Sequence, residues 1–153
     1  MFDKILVPLD GSEHSLKALE QALSIAKKFS GKITLLHVYS VEPILMPEPS
    51  TGGSLSIPIV TGAEVSALIE AAKKLGNKIL VDGENRIAGS GVEVEKLLVE
   101  GHPVEEIVAL AKEGNFDLIV LGARGVSHMR EMLLGSVTDG VIHHVRCPVL
   151  VVK

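Results

Sequence analysis

Short apolar runs alternate along this chain with longer stretches in which apolar residues recur at helical spacing. The first such stretch has Leu16, Leu19 and Leu23 following a candidate N-cap at Ser12. The runs typical of strands cover residues 4–10, 33–38, 92–99, 116–121 and 148–152. Because strands that alternate with helices are joined by right-handed crossovers, the pattern predicts a parallel sheet with helices on both faces. We therefore predict a doubly wound α/β fold with a five-stranded parallel sheet.

Four helices are expected between these strands. They begin near Ser12, Glu64, Pro103 and Ser136. The first is expected to end at Gly31, a residue suited to a left-handed C-cap. The second contains Gly76 and Gly83, each of which costs roughly 1 kcal/mol relative to alanine in a helix. Residues 40–62 are rich in proline and glycine and are predicted to form a long, mobile loop.

The composition is that of one domain spanning residues 1–153 with a substantial apolar core. Apolar residues make up 46% of the chain, charged residues 22%, and the net charge is −4. This charge and the scarcity of aromatic residues disfavour general nucleic-acid binding. The single cysteine excludes an intrachain disulfide. No apolar stretch approaches the roughly 18 residues that cross a bilayer, and no signal peptide is evident, so we expect a cytoplasmic protein without a membrane partner.

Ligands in doubly wound sheets bind outside the carboxyl ends of the strands, where the winding direction changes. That rule points to Pro8-Leu9-Asp10, Val38 and Gly122, which end the first, second and fourth predicted strands. The Asp10 carboxylate can accept hydrogen bonds from ribose hydroxyls. It can equally serve as a turn or cap residue for the helix after Ser12, and both roles can coexist.

Glycines punctuate the segment after the fourth strand. Gly122-Ala123-Arg124-Gly125 leaves the strand, nine residues follow, and Gly135-Ser136-Val137-Thr138 opens a helix. The free N–H groups of a helix start favour a bound anion, the Ser136 and Thr138 hydroxyls add donors, and Arg124 adds a positive charge. This arrangement favours a ligand with a phosphate chain. The alternative is that the glycines only form a turn and Ser136 only caps a helix, and glycine spacing alone does not decide between them.

Other phosphate chemistries do not fit the sequence. The chain has no GxxxxGK[ST], and no GxGxxG follows the first strand, which excludes a P-loop NTPase and an ordinary dinucleotide site. A response-regulator phosphoacceptor domain has the same predicted fold class. It requires an acidic pair after the first strand and an aspartate after the third, where this chain has Asp10 alone and Glu100-Gly101.

The motifs resemble those of the universal stress protein family over essentially the whole chain. The resemblance rests on Ile5-Leu6-Val7-Pro8-Leu9-Asp10-Gly11-Ser12, Leu36-His37-Val38, Gly122-x2-Gly125-x9-Gly135-Ser136 and Cys147-Pro148-Val149-Leu150-Val151-Val152. The glycine signature is that of the ATP-binding members of the family, and it is intact here. The resemblance implies a Rossmann-like fold of the adenine nucleotide alpha hydrolase type, with the strand order 3-2-1-4-5.

The resemblance also implies a site for ATP, with Mg or Mn bridging the phosphates. Asp10, with Pro8 beside it, matches the position that contacts the ribose, and Val38 matches the residue whose backbone contacts the adenine. Leu9 and Leu121 would supply apolar walls. The positions that match the family's phosphate-binding residues are Gly122, Arg124, Gly125, Gly135, Ser136, Val137 and Thr138.

The histidines and the cysteine are assigned no catalytic or metal-binding role. His143 and His144 are neighbours on a predicted helix and point about 100° apart, so they do not converge on one ion. His37 is expected to hydrogen-bond inside or at the edge of the sheet, which leaves pH-sensitive binding open. Cys147 is expected to be a small core residue rather than a reactive thiol.

The resemblance therefore predicts a nucleotide-dependent switch in a stress response, with ATP hydrolysis that is slow at most. The apolar strand at residues 148–152 is expected to join a homodimer by antiparallel pairing, which is also the family's common mode. The signalling partner stays unidentified. Two alternatives remain open: a nucleotide-independent dimeric interaction module, and an AMP or cyclic-nucleotide sensor that uses the same pocket.

Overall fold

Runs of Ile, Leu and Val form the five strands of one parallel sheet. The computed structural model describes residues 1–40, 61–126 and 134–153. The strands are β1 (Lys4–Pro8), β2 (Lys32–Tyr39), β3 (Val94–Glu100), β4 (Leu118–Gly122) and β5 (Val149–Val152). They lie in the order β3-β2-β1-β4-β5, and all four neighbouring pairs are parallel. The predicted doubly wound fold and its strand order are confirmed.

Helices cover both faces of the sheet. They are α1 (Glu13–Phe29), α2 (Gly62–Arg86), α3 (Pro103–Glu113) and α4 (Ser136–His144). Successive residues of β1 point to opposite faces, so Val7 packs with Leu19 of α1 in one core. Leu6 packs with Ile107 of α3 and Val141 of α4 in the other core. None of the described helices combines the length and apolar character of a membrane span.

Helix α1 begins as predicted and ends differently. The Ser12 side chain accepts a hydrogen bond from the Ser15 N–H, which is the expected N-cap. The predicted left-handed C-cap at Gly31 is wrong, because Ser30 takes that conformation with φ 56°. A Cβ atom at Gly31 would overlap the Phe2 carbonyl oxygen. Gly31 is therefore required by the close approach of the N-terminal segment rather than by its own backbone conformation.

Helix α2 contains two interior glycines because it lies very close to the sheet. A Cβ atom on Gly83 would lie 2.6 Å from Leu9 Cδ1, and one on Gly76 would lie 2.7 Å from His37 Cδ2. Close packing thus offsets the helix-propensity cost of both residues. The predicted mobile loop at residues 40–62 lies outside the described residues except at its ends, where Thr61 caps the helix that begins at Gly62.

The connections leave a crevice at the carboxyl edge of the sheet. Helix α1 follows β1 and packs on one face, whereas α4 follows β4 on the opposite face. Because β1 and β4 are neighbours in the sheet, the chain leaves their carboxyl ends in opposite directions. This is the switch point at which doubly wound sheets bind ligands.

Candidate functional site

A cavity of about 320 Å³ opens at this switch point. All of the site residues proposed from the sequence line it, although they come from four separate parts of the chain. They are Pro8, Leu9, Asp10, Val38, Leu121, Gly122, Arg124, Gly125, Gly135, Ser136, Val137 and Thr138. The volume is at the lower end of the range for small-molecule sites.

Sequence reasoning missed part of the cavity wall. The additional lining residues are Ser15, Leu36, Pro103, Ile107 and Val126. Leu36 could have been found, because it lies two positions before Val38 and therefore points to the same face of the sheet. The α3 residues could have been found from the right-handed crossover, which places the helix after β3 over this face.

One half of the cavity is apolar. Leu36 and Ile107 are almost completely buried, with exposed fractions of 0% and 2%. Pro8, Val38 and Leu121 complete this half. Such a surface suits a flat, weakly polar group such as a nucleobase.

The Val38 backbone presents polar groups beside this apolar surface. In a parallel strand, alternate residues direct both backbone groups to the same neighbouring strand. The Leu36 carbonyl oxygen accepts from the Leu9 N–H at 2.8 Å, so Leu36 and Val38 face β1. Strand β1 ends at Pro8, and no described residue accepts a hydrogen bond from the Val38 N–H. Val38 therefore offers one donor and one acceptor at the cavity.

The other half of the cavity is surrounded by backbone amides. The N–H groups of Ser136, Val137 and Thr138 begin α4, which has no side-chain cap. Those of Arg124 and Gly125 follow β4, and none of the five has an acceptor among the described residues. Free amides and the positive end of a helix together attract an anion. We call these five N–H groups the amide cradle.

Gly135 and Thr138 use polar groups for hydrogen bonds within the protein. The Gly135 N–H donates to the Ala123 carbonyl oxygen at 2.7 Å, which ties the start of α4 to the segment after β4. The buried Thr138 hydroxyl donates to the Gly122 carbonyl oxygen at 2.8 Å. Thr138 therefore offers the cavity its backbone N–H, whereas its hydroxyl hydrogen is committed to β4.

The Arg124 and Ser136 side chains remain open to a ligand. No described residue forms an ion pair or hydrogen bond with the Arg124 guanidinium or the Ser136 hydroxyl. Both residues line the cavity next to the amide cradle. A guanidinium in this position can pair with two phosphate oxygens at once.

The Asp10 carboxylate joins β1 to the cradle. One oxygen accepts from the Ser12 N–H at 2.9 Å, which is the turn role predicted as an alternative. The other accepts from the Val126 N–H at 3.1 Å. A Cβ atom at Gly125 would overlap this second oxygen. Each carboxylate oxygen has a further lone pair, so Asp10 can hold the loop and still accept a ligand hydroxyl.

The remaining candidate residues lie away from the cavity lining. His143 and His144 are exposed on α4, and His128 lies outside the described residues. His37 hydrogen-bonds through Nδ1 to the Leu9 carbonyl oxygen at 2.7 Å, as expected for a residue at the sheet edge. Cys147 packs against the second core, and burial raises the pKa of its thiol, which disfavours the reactive thiolate.

Comparisons with known proteins agree with the fold and with the motifs. A model of the universal stress protein family matches residues 1–153. The chain is 39% identical to universal stress protein YxiE of Bacillus subtilis over 100% of both chains. The solved structure of MJ0577 from Methanocaldococcus jannaschii is 31% identical, with a TM-score of 0.81 over 100% of this chain and 96% of that one. A universal stress protein solved in complex with cAMP is 28% identical, with a TM-score of 0.66 over 99% of this chain and 96% of that one.

Proposed function

Because the chain belongs to the universal stress protein family, we propose that it binds ATP at the carboxyl edge of its sheet and acts as a nucleotide-dependent switch. The observation that carries this proposal is the amide cradle, whose five N–H groups have no acceptor among the described residues. Such groups are stabilised by an anionic ligand. The apolar half of the same cavity supplies room for a base.

The proposed pose follows from the polarity of the cavity. The adenine lies on the apolar half, where its ring nitrogen and amino group meet the Val38 N–H and carbonyl. The ribose hydroxyls donate to Asp10. The phosphates lie in the amide cradle, with Arg124 pairing their oxygens and the Ser136 hydroxyl donating to them.

A divalent ion would be held by the nucleotide rather than by the protein. The described ranges, 1–40, 61–126 and 134–153, hold no group of three or more His, Cys, Asp and Glu side chains that could bind a metal ion. The Asp10 carboxylate already accepts hydrogen bonds from two backbone amides. We therefore propose that Mg or Mn bridges the phosphates, with water completing its coordination.

We propose that the protein binds and releases ATP rather than hydrolysing it rapidly. A general base must lie within hydrogen-bond reach of the attacking water. Asp10 is the one carboxylate among the described lining residues, and in the proposed pose its remaining lone pairs accept from the ribose hydroxyls rather than from a water molecule. We therefore expect hydrolysis of the bound ATP to be slow. We also propose that the switch acts in the cytoplasm on a signalling partner.

Thermal unfolding with and without nucleotide tests this proposal. With Mg-ATP at about 100 times its Kd, the free energy of unfolding should rise by about 2.7 kcal/mol and Tm by about 5–10 °C. Mg²⁺ with sodium sulfate is the control for non-specific anion effects. No change in Tm with millimolar Mg-ATP would contradict the proposal and favour the nucleotide-independent interaction module.

Cyclic and monophosphate nucleotides are the second class of ligand to compare. A similar protein was solved in complex with cAMP. The five amides and the adjacent arginine favour the ligand with the larger negative charge, so we expect ATP to stabilise the protein more than AMP or cAMP does. A larger increase in Tm with cAMP or AMP would identify the protein as a sensor of that ligand.

We further propose that β5 joins two copies of the chain. Strands β3 and β5 form the two edges of the sheet. Edge β3 carries the exposed Glu95 and the Lys96 ion pair with Glu84, and such charges discourage pairing with another strand. Edge β5 consists of apolar Val149–Val152, which favours antiparallel pairing with a second β5.

A proline substitution on β5 tests this interface. The Val152 carbonyl accepts from the Ala123 N–H, so Val152 and Leu150 face β4, whereas Val149 and Val151 direct their backbone groups outwards. Val151→Pro should yield a monomer in light scattering at micromolar concentration, and Val151→Ala should remain a dimer. A monomeric wild-type protein, or a dimeric Val151→Pro variant, would contradict the proposed interface.

A further inference from the structure

We infer that His37 is a positioning residue for base recognition, because its imidazole ends the β1–β2 ladder and thereby leaves the Val38 N–H free for a ring nitrogen of an adenine-type base. This inference rests on the proposed function. His37 belongs to the opposite face of the sheet and is not part of the cavity lining.

The β1–β2 ladder ends at the hydrogen bond between Leu9 and Leu36. The Leu9 N–H donates to the Leu36 carbonyl oxygen at 2.8 Å. In a parallel ladder, the next bond would run from the Val38 N–H to the Leu9 carbonyl oxygen. That bond is not formed, and His37 Nδ1 lies 2.7 Å from the Leu9 oxygen instead. The side chain has replaced a backbone donor.

The chemistry of the two groups fixes the direction of this bond. A carbonyl oxygen only accepts, so Nδ1 of His37 carries the hydrogen. Nδ1 carries a hydrogen both in this neutral tautomer and in the imidazolium ion. The bond therefore forms with either the neutral or the protonated ring, and it satisfies the Leu9 carbonyl. A further bond from the Val38 N–H to the same carbonyl would then add little stability.

Helix α2 holds the imidazole ring in place. A Cβ atom on Gly76 would lie 2.7 Å from His37 Cδ2 and 2.6 Å from Leu98 Cδ1. The helix backbone therefore passes directly over the ring, with Leu98 of the neighbouring strand beside it. This packing restricts the plane of the ring, and the hydrogen bond to the Leu9 carbonyl selects the orientation in which Nδ1 faces it.

Groups on the two faces of the sheet therefore have different roles in base recognition. His37 and α2 act from one face to end the ladder, while Val38 presents its freed N–H on the side of the cavity. A base that offers a ring-nitrogen acceptor next to an amino donor matches the Val38 N–H and carbonyl. Guanine presents the opposite pair at this edge, so this geometry favours adenine.

Binding measurements on His37 variants test the inference. His37→Leu should weaken ATP binding about tenfold, the effect of losing one buried hydrogen bond, and should leave binding of inorganic tripolyphosphate unchanged. His37→Asn should restore most of the ATP affinity, because the asparagine amide can donate from nearly the same position as Nδ1. A merely structural role for His37 would weaken the binding of ATP and tripolyphosphate equally.

Amide exchange provides a readout that needs no ligand. In the ligand-free wild-type protein, NMR should show fast hydrogen exchange at Val38 and slow exchange at Leu36 and Tyr39. The Val38 amide should become protected in His37→Leu, where the ladder can extend by one bond. A protected Val38 amide in the wild-type protein would overturn the inference.

The outcomes separate this inference from the proposed function. If the wild-type protein binds ATP and His37→Leu binds it equally well, the proposed function stands and the role of His37 is refuted. If the wild-type protein binds no nucleotide, the proposed function fails, and the recognition role of His37 fails with it.

Discussion

Replacing Gly125 by alanine is expected to remove most of the stabilisation of the protein by ATP. The added Cβ atom would overlap an oxygen of Asp10 that accepts a hydrogen bond from the Val126 N–H. The carboxylate must then move, which releases the loop after β4 and displaces two amides of the cradle. Asp10 is also the proposed ribose contact, so the substitution affects two parts of the site at once.

The size of this effect can be measured by thermal unfolding with Mg-ATP. At the concentration that raises the wild-type Tm by about 5–10 °C, a variant with a 100-fold higher Kd should gain only about 1 °C. Gly62→Ala is the matched control, because its Cβ atom would meet nothing within 4 Å. A full increase in Tm for Gly125→Ala would show that Asp10 and the cradle do not hold the nucleotide together.

Replacing Gly122 by alanine is expected to destabilise the fold itself. A Cβ atom at Gly122 would lie 2.7 Å from the His14 carbonyl carbon and 2.8 Å from its oxygen. These are backbone atoms of α1, which is anchored in the core by Leu19 and cannot move as a side chain can. Overpacking of this kind costs about 1–3 kcal/mol.

Urea unfolding without nucleotide measures this loss. The midpoint should fall for Gly122→Ala while the slope with urea stays unchanged, and Gly62→Ala should unfold close to the wild type. Wild-type stability for Gly122→Ala would contradict the close packing of α1 on the end of β4.

The three glycines of the signature thus have different surroundings. Gly122 admits the backbone of α1, and Gly125 leaves room for the Asp10 carboxylate, whereas a Cβ atom at Gly135 would meet only ordinary contacts with the backbone of Ala123–Gly125. Their spacing in the sequence indicated a phosphate site but could not distinguish these roles. Each role depends on an atom that is distant in the chain.

The fold was largely predictable because each strand of a covered parallel sheet is a compact apolar run. Gly31 shows where such prediction stops. Its position suggested a left-handed helix cap, but Ser30 adopts that conformation and Gly31 accommodates the Phe2 carbonyl. A glycine required by a steric approach looks the same in a sequence as one required by its φ angle.

The site was predictable at the strand ends and less so elsewhere. Asp10 and Val38 could be placed because the carboxyl ends of parallel strands meet at one edge. Ile107 was missed although the right-handed crossover places its helix over this face, because the distance of the helix from the sheet is set by packing. The Thr138 hydroxyl was expected to be a ligand donor, but it donates to Gly122, a contact that only the folded chain defines.

The most direct measurement of the central claim is a crystal structure of the protein grown with Mg-ATP. It should place the triphosphate oxygens within hydrogen-bond distance of the amides of Gly125 and Ser136–Thr138, with the adenine against Val38. Nucleotide bound elsewhere, or cradle amides already bonded to protein carbonyls, would contradict the claim.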